Sequence, residues 1–331
     1  MIRHGVELHN VAETTAVGDG ERLERVPADV RADLNEGARD NYVRPDGVEI
    51  RFVADGPVEV TLSCPAGECE VTPFWGAFRE RTTEYVTVGA EPTTIEMEFP
   101  NRLAGLDPDA VDGSYHDPAV GRLVLFGDPT LLHGVEGDTR PPRDEELPDR
   151  TLLAYGTSIT QGAFASRQHL AFPSRTAQHL DADLRNLGTG GSAFCEPEIA
   201  DHVAARDDWD AAAIEVSVNM LTRDFTAAEF RERATYLLDA VAGENPGKPV
   251  AALTLFPMYA DLTGEQQDWP ATPGDYRAAL RDAADAAGHD NLRVVEGTTL
   301  LDDPRGLTSD LLHPNDRGMA HIADGLADAL D

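Results

Sequence analysis

Lysine is almost missing from this chain: Lys248 stands alone, and every other basic residue is an arginine. Together the 27 basic residues face 60 acidic ones, for a formal charge of −33. A surface of that sign repels duplex DNA and anionic membranes, which disfavours nucleic-acid and membrane partners. Cysteine is nearly missing too, with Cys64, Cys69 and Cys195 the full set. Without a second ligand pair at matching spacing they imply no structural zinc site, and in a reducing compartment Cys64 and Cys69 are expected as free thiols. No stretch reaches the roughly 18–20 consecutive apolar residues of a membrane helix. The opening MIRHGVELHNVAET lacks the apolar region of a secretory signal, so a cytoplasmic protein is expected. Internal repeats and low-complexity segments are absent as well.

What the chain carries in excess is acid, and the acid is dispersed, as in DEELPD, DADL, ARDDWD and DAADAAGHD. A block tail would mark an interaction segment, whereas dispersion marks a uniformly acidic surface. Such a surface repels itself in dilute salt and is relieved where counterions screen it over a few ångströms. The composition resembles that of proteins from extreme halophiles.

A chain of 331 residues, 41% of them hydrophobic, suits two packed domains. The pattern changes near residue 145. Before it, short alternating runs (GVEIRFVA, VEVTLSC, EYVTVG, TTIEMEF, RLVLFG) are separated by turn signals such as RPDG, ADGP and FGDP, the rhythm of an all-β sandwich or jelly roll. The stretch EGDTRPPRDEELPDR is rich in Pro and charge and reads as a linker. Beyond it, five apolar runs (151–156, 184–188, 211–218, 250–256 and 292–297) alternate with helical patterns, the last being NDRGMAHIADGLADAL. Thr226 followed three residues later by Glu229 is a helix-start signal. Five strands alternating with helices predict a doubly wound parallel α/β sheet, whose site lies at the carboxyl ends of its strands. The expected boundaries are a β-sandwich over 1–140, a linker over 141–150 and an α/β domain over 151–331.

Chemistry-bearing residues fall where that prior points. Ser158 follows the first run within AYGTSITQGAF, between Gly156 and Gly162. A serine hydroxyl needs a neighbouring base to become a nucleophile. GTSIT fits the nucleophile elbow G-x-S-x-G only in part, because Thr160 replaces the second Gly, which argues against a standard α/β-hydrolase. The carboxy-terminal TSDLLHPND sets Asp310 three residues before His313, a spacing that lets one turn bring a carboxylate under an imidazole. NLGTGGSAF after the second run exposes backbone N–H groups, and Asn219 after the third offers a side-chain amide; an oxyanion hole needs such donors. The Gly-rich loop lacks the dinucleotide spacing G-x-G-x-x-G.

Taken in chain order, Ser158, Gly191, Asn219 and Asp310 with His313 match the block order of the SGNH hydrolases, the GDSL-type esterase/lipase superfamily. Residues 151–331 resemble that superfamily: YGTSITQG the first block, GTGGS the second, VSVNM the third and DLLHPND the fifth. Thr157 stands where the family has Asp, and Ser217 and Met220 where it has Gly and Asp, departures that bear on subfamily and substrate. RLERVP and GVEIRFVADG are similar to a branch carrying an amino-terminal β-rich domain. The resemblance implies a flavodoxin-like sheet and a serine esterase in which Ser158 is the nucleophile, His313 the base and Asp310 its orienting partner. It implies an oxyanion hole of the Ser158 N–H, the Gly191 N–H and the Asn219 amide, with Gly188 and Gly190 as alternatives to Gly191. No metal or organic cofactor is required. The expected partner is a small-molecule or carbohydrate ester, with short acyl or acetyl groups. The alternatives are an acyl-thioesterase of the same fold and a non-catalytic carbohydrate-binding protein. Tyr115, His116 and Trp75 are candidate contributions of the β domain. Arg167 and His169 are candidates for leaving-group contacts, Met220 for an acyl-pocket wall, and Cys195 for packing.

The charge pattern makes a direct prediction. Melting in about 2–3 M KCl is expected to lie well above melting in dilute buffer, because screening relieves the self-repulsion. A melting temperature indifferent to salt contradicts the halophile-like reading.

Overall fold

The computed structural model describes residues 1–81, 86–107, 111, 115–265 and 267–331. They divide into two units: Met1–Ala28, Tyr42–Asp149 and Asp181–Asp183 form one, and Asp29–Asn41, Arg150–Leu180 and Leu184–Asp331 the other. Residues 29–41, expected in the amino-terminal domain, thus group with the α/β unit.

Strands Arg150–Gly156, Ala182–Gly188, Ala211–Glu215, Val250–Leu253 and Leu292–Val295 build a five-stranded parallel sheet. The second strand lies outside the first, and the third, fourth and fifth follow on the other side, the flavodoxin-like order. The central strands are buried along their length, including Leu152 to Tyr155, Ala211 to Ile214 and Val250 to Leu253. Strands covered on both faces read as unbroken apolar runs, which is how they stand out in the sequence. The helices are Phe172–His179, Pro197–Ala204, Ala227–Glu244, Pro273–Ala287 and Asp316–Leu330, joined by shorter turns. Ala227–Glu244 buries Phe230, Ala234, Leu237, Leu238, Val241 and Ala242, a stripe at helical spacing. Its start is the capping box expected from Thr226 and Glu229: the Glu229 N–H donates to the Thr226 hydroxyl at 3.2 Å and the Thr226 N–H to the Glu229 carboxylate at 2.7 Å. No helix among the described residues is long and apolar enough to cross a membrane.

The other unit holds two antiparallel sheets whose inward residues share one core, among them Leu8, Ile50, Phe52, Trp75 and Leu123 from one sheet and Leu23, Val60, Leu62, Ile95 and Leu132 from the other. The expected runs form strands at Glu49–Ala54, Val58–Ser63, Val86–Val88, Thr93–Met97 and Gly121–Gly127; Glu84 and Tyr85 of EYVTVG lie outside the described residues. Strand Cys69–Trp75 escapes sequence reading because Pro73 interrupts its pattern. Trp75 stands edge-on to Phe52 at 6.0 Å and to Phe99 at 5.1 Å. Arg51, Arg122 and Glu49 form a buried ionic cluster with Asp183, beside which Tyr115 and His116 pack. All three cysteines are buried free thiols.

Strand boundaries differ from expectation where the chain turns toward the sheet's carboxyl edge. The third run, expected over 211–218, leaves the sheet after Glu215, because Ser217 turns the backbone at φ +125° and Val218–Leu221 begins a helical turn. The fourth and fifth strands end at Leu253 and Val295, ahead of the expected 256 and 297.

Ser217 occupies a conformation that favours glycine, and its buried hydroxyl has no hydrogen-bond partner among the described residues. Ser217→Gly is expected to stabilise the protein by about 1 kcal/mol net of glycine's larger unfolded-state entropy. The check is the urea midpoint; a lowered midpoint would show that the turn is unstrained with serine.

Candidate active site

The first parallel strand ends at Gly156, where any Cβ would meet the Thr160 hydroxyl at 2.2 Å and the Glu215 carbonyl at 2.4 Å. That closeness requires glycine and brings the next turn onto the third strand. Thr157 caps the four-residue helix Ser158–Gln161, its hydroxyl accepting the Ile159 N–H at 3.2 Å. The same hydroxyl donates to Glu215 Oε2 at 2.7 Å, and the Thr157 N–H and Thr160 hydroxyl donate to that oxygen at 3.1 and 2.9 Å. Burial pushes the Glu215 carboxyl up to about 7, against the lowering effect of the two threonines. Thr157, the departure from the family's Asp, thus serves as both cap and carboxylate donor.

His313 reaches Ser158 from the loop before the last helix. The Thr308 N–H donates to the His313 carbonyl at 2.8 Å, closing the loop, and Leu311 takes φ +53° within it. His313 Nε2 lies 2.9 Å from Ser158 Oγ, and His313 Nδ1 lies 2.6 Å from Asp310 Oδ2. With Nδ1–H donated to Asp310, Nε2 presents its lone pair to the serine hydroxyl, the tautomer a general base needs. Desolvation raises the Asp310 carboxyl, but hydrogen bonds from the Thr308 hydroxyl, the His313 ring and the backbone N–H groups of His313 and Leu312 outweigh it. The carboxyl is held well below the usual range and stays ionised. Phe164, exposed and at φ +66°, lays its ring against the His313 ring at 4.4 Å. Ser166 donates both its N–H and its hydroxyl to Asp316, tying that loop to the carboxy-terminal helix.

The Gly-rich loop offers several N–H groups, and most are already engaged. The Gly188 N–H donates to Asn186 Oδ1, the Thr189 N–H to the Gly156 carbonyl and the Gly190 N–H to Gln161 Oε1, each at 2.8 Å. The Gly191 and Ser158 N–H groups have no protein acceptor among the described residues. Asn219 accepts the Ala193 N–H on its Oδ1 at 3.1 Å, which turns its NH₂ away from that contact. Among the glycines weighed from sequence, Gly191 is therefore the one with an N–H left to give. A serine hydroxyl in reach of a carboxylate-oriented imidazole, with three uncommitted N–H donors nearby, is equipped for attack on a carbonyl and for holding the resulting oxyanion.

Other sequence candidates fall elsewhere. Trp75 and His116 are buried in the β unit, where Tyr115 is half-buried against Arg122. Arg167 and His169 are half-buried in the segment after helix Ser158–Gln161. Met220 is fully buried beside Asn219, and Cys195, at φ +53°, is buried with its thiol pushed up by desolvation. Among the described residues no group of three His, Cys, Asp or Glu side chains is placed to hold a metal ion. Sequence reasoning missed Glu215, Gln161, Asn35 and Asn41. The first follows an apolar run like any strand-end residue, and the last two lie far from every motif.

The model of the GDSL-like Lipase/Acylhydrolase family matches residues 149–331. No protein of curated function matches the sequence significantly. Among solved structures, a salicylyl-acyltransferase, SsfX3, from a tetracycline biosynthetic pathway superposes with TM-score 0.78 at 15% identity, covering 98% of this chain and 94% of that one. A family two carbohydrate esterase from Cellvibrio japonicus gives 0.62 at 14% identity, covering 98% and 94%. An acetyl xylan esterase from the rumen bacterium Butyrivibrio proteoclasticus gives 0.55 at 13%, covering 88% and 91%. At these identities the likeness concerns the fold.

Glu215 makes a pH prediction. Its carboxyl is raised from the ordinary 4.5 to about 7, so across that window this site binds more protons in the folded chain than in the unfolded one. The contribution of this site to stability then falls as pH rises through the window, by on the order of 3 kcal/mol, while His202 and His116, whose imidazoles burial pushes down, contribute in the opposite sense. Glu215→Gln keeps an acceptor oxygen and removes the titration, so between those values the variant's stability profile should lose that downward contribution and slope more upward with pH than the parent's. A slope identical in both proteins would mean that Glu215 does not titrate there.

Proposed function

This chain belongs to the GDSL-like lipase/acylhydrolase family, a family of ester-bond hydrolases, and from that membership we propose a serine esterase that releases short acyl groups, acetyl foremost, from small-molecule or carbohydrate esters. The observation that carries the reading is the line Asp310–His313–Ser158 with distances of 2.6 and 2.9 Å, ending beside N–H groups that have no other acceptor. Ser158 Oγ attacks the ester carbonyl while His313 Nε2 takes its proton. The Asp310 carboxylate stabilises the imidazolium that forms, and the oxyanion rests on the Ser158 N–H, the Gly191 N–H and the Asn219 amide. His313 then returns the proton to the leaving alcohol, and water repeats the sequence on the acyl-enzyme to free the acid.

The substrate class draws its support from the names of fold neighbours: a carbohydrate esterase and an acetyl xylan esterase act on acyl esters of sugars, and an acyltransferase moves an acyl group. The dispersed acidic composition supports a working environment of high salt.

Hydrolysis of p-nitrophenyl acetate in concentrated KCl tests the reading. Ser158→Ala and His313→Ala are each expected to abolish turnover in a folded protein. Asn219→Ala is expected to lower kcat by about 10²–10³ with little change in KM. Full activity in either triad variant removes the proposed nucleophile or base. A parallel panel of acetylated xylan, acetylated monosaccharides and acyl-thioesters separates the esterase from a thioesterase.

A further inference from the structure

The segment Asp29–Asn41 lies far ahead of the catalytic blocks in sequence and yet is part of the α/β unit, where it packs on the Gly-rich loop. Asn35 donates its side-chain NH₂ to the Ser192 carbonyl at 2.9 Å and to Glu196 Oε1 at 2.7 Å, and its backbone N–H reaches the same carboxylate at 3.0 Å. A Cβ on Gly37 would run into the Ser192 hydroxyl, so the segment lies directly against the side chain of that loop residue. Asn41, at the end of helix Glu36–Asn41, uses both hydrogens of its NH₂, one on the Gly37 carbonyl at 2.7 Å and one on the Gly190 carbonyl at 3.1 Å.

A closed ring of three hydrogen bonds results. The Gly190 N–H donates to Gln161 Oε1, Gln161 Nε2 donates to Asn41 Oδ1 at 3.2 Å, and Asn41 Nδ2 donates back to the Gly190 carbonyl. The backbone groups at either end fix which way both side-chain amides face. The Ser192 hydroxyl adds a second donor to the Gly190 carbonyl at 3.1 Å.

The Gly190 carbonyl and the Gly191 N–H belong to one peptide plane, and in a trans peptide they point in opposite directions. Gripping the carbonyl therefore sets the direction of the N–H, and polarising the carbonyl makes that N–H a stronger donor. A loop with glycines at both positions has little torsional preference of its own to hold that plane. We propose that Asn41 is a positioning residue for catalysis, which with Gln161 holds the Gly190–Gly191 peptide so that the Gly191 N–H is aimed at the developing oxyanion. This rests on the assignment of Ser158, Gly191 and Asn219 above.

The test uses the full chain with Asn41→Ala and Asn41→Asp, the second keeping the shape while replacing the donor to Gly190 by an acceptor. Both are expected to lower kcat on p-nitrophenyl acetate about tenfold, a fraction of the loss from removing an oxyanion donor outright, with KM within about twofold. A boronic acid that forms a tetrahedral adduct with the serine reports on the hole directly. Its affinity is expected to fall in step with kcat/KM, which a merely structural weakening would not produce. Should Asn41→Ala unfold, Asn41→Asp decides by the same two readouts. Turnover and boronate affinity unchanged in a folded variant overturn the proposal, as does a fall in turnover without a fall in boronate affinity. Asn219→Ala separates the two levels. If it too leaves kcat unchanged, the hole itself is misassigned; if it costs its full factor while Asn41 variants cost nothing, only the role of Asn41 is lost.

Discussion

The Glu215 carboxylate, buried where the third parallel strand ends, gathers on one oxygen the Thr157 N–H, the Thr157 hydroxyl and the Thr160 hydroxyl. That oxygen joins the end of the first strand to the end of the third and holds both flanks of Ser158. Two and four residues beyond Glu215 come Ser217, which turns the chain, and Asn219, which faces the Gly-rich loop. Ser158 and Asn219, the proposed nucleophile and side-chain oxyanion donor, thus take their positions from one strand end. A raised carboxyl and a serine in glycine-like backbone space at the same place are destabilising features of the kind that active sites retain for geometry.

The Gly-rich loop is held largely by neutral dipoles. The Gly188, Thr189 and Gly190 N–H groups are spent on holding the loop, the Gly190 carbonyl is gripped by Asn41 and Ser192, and what is left over faces outward at Gly191. The Glu196 carboxylate adds to these dipoles through Asn35, itself a neutral donor. For a chain of net charge −33 this matters, because salt that screens surface charges weakens buried hydrogen-bonded dipoles far less.

Much of the site was legible in one dimension because its parts sit at strand ends, and strand ends announce themselves as apolar runs giving way to Gly, Ser, Asn or His. Ser158 after TLLAYG, Asn219 after AAAIEV and the Asp310–His313 spacing all follow from local chain geometry. The helix starts were legible for the same reason: a cap such as Thr226 with Glu229 is complete within four residues. Boundaries were less so, since the ends of the third, fourth and fifth strands depend on where neighbouring strands stop offering hydrogen bonds.

Composition and periodicity were sufficient for the alternation of strands and helices, the acidic surface and the residue types capable of acyl chemistry, because each is a property of neighbours along the chain. Which glycine keeps a free N–H, how Glu215 collects its donors and why Asn41 matters are properties of neighbours in space. Asn41 and Gly190 are 149 residues apart in sequence, and no local propensity encodes a hydrogen bond between them. Only folding brings the amide to the carbonyl, and with it the direction of the N–H on the carbonyl's far side.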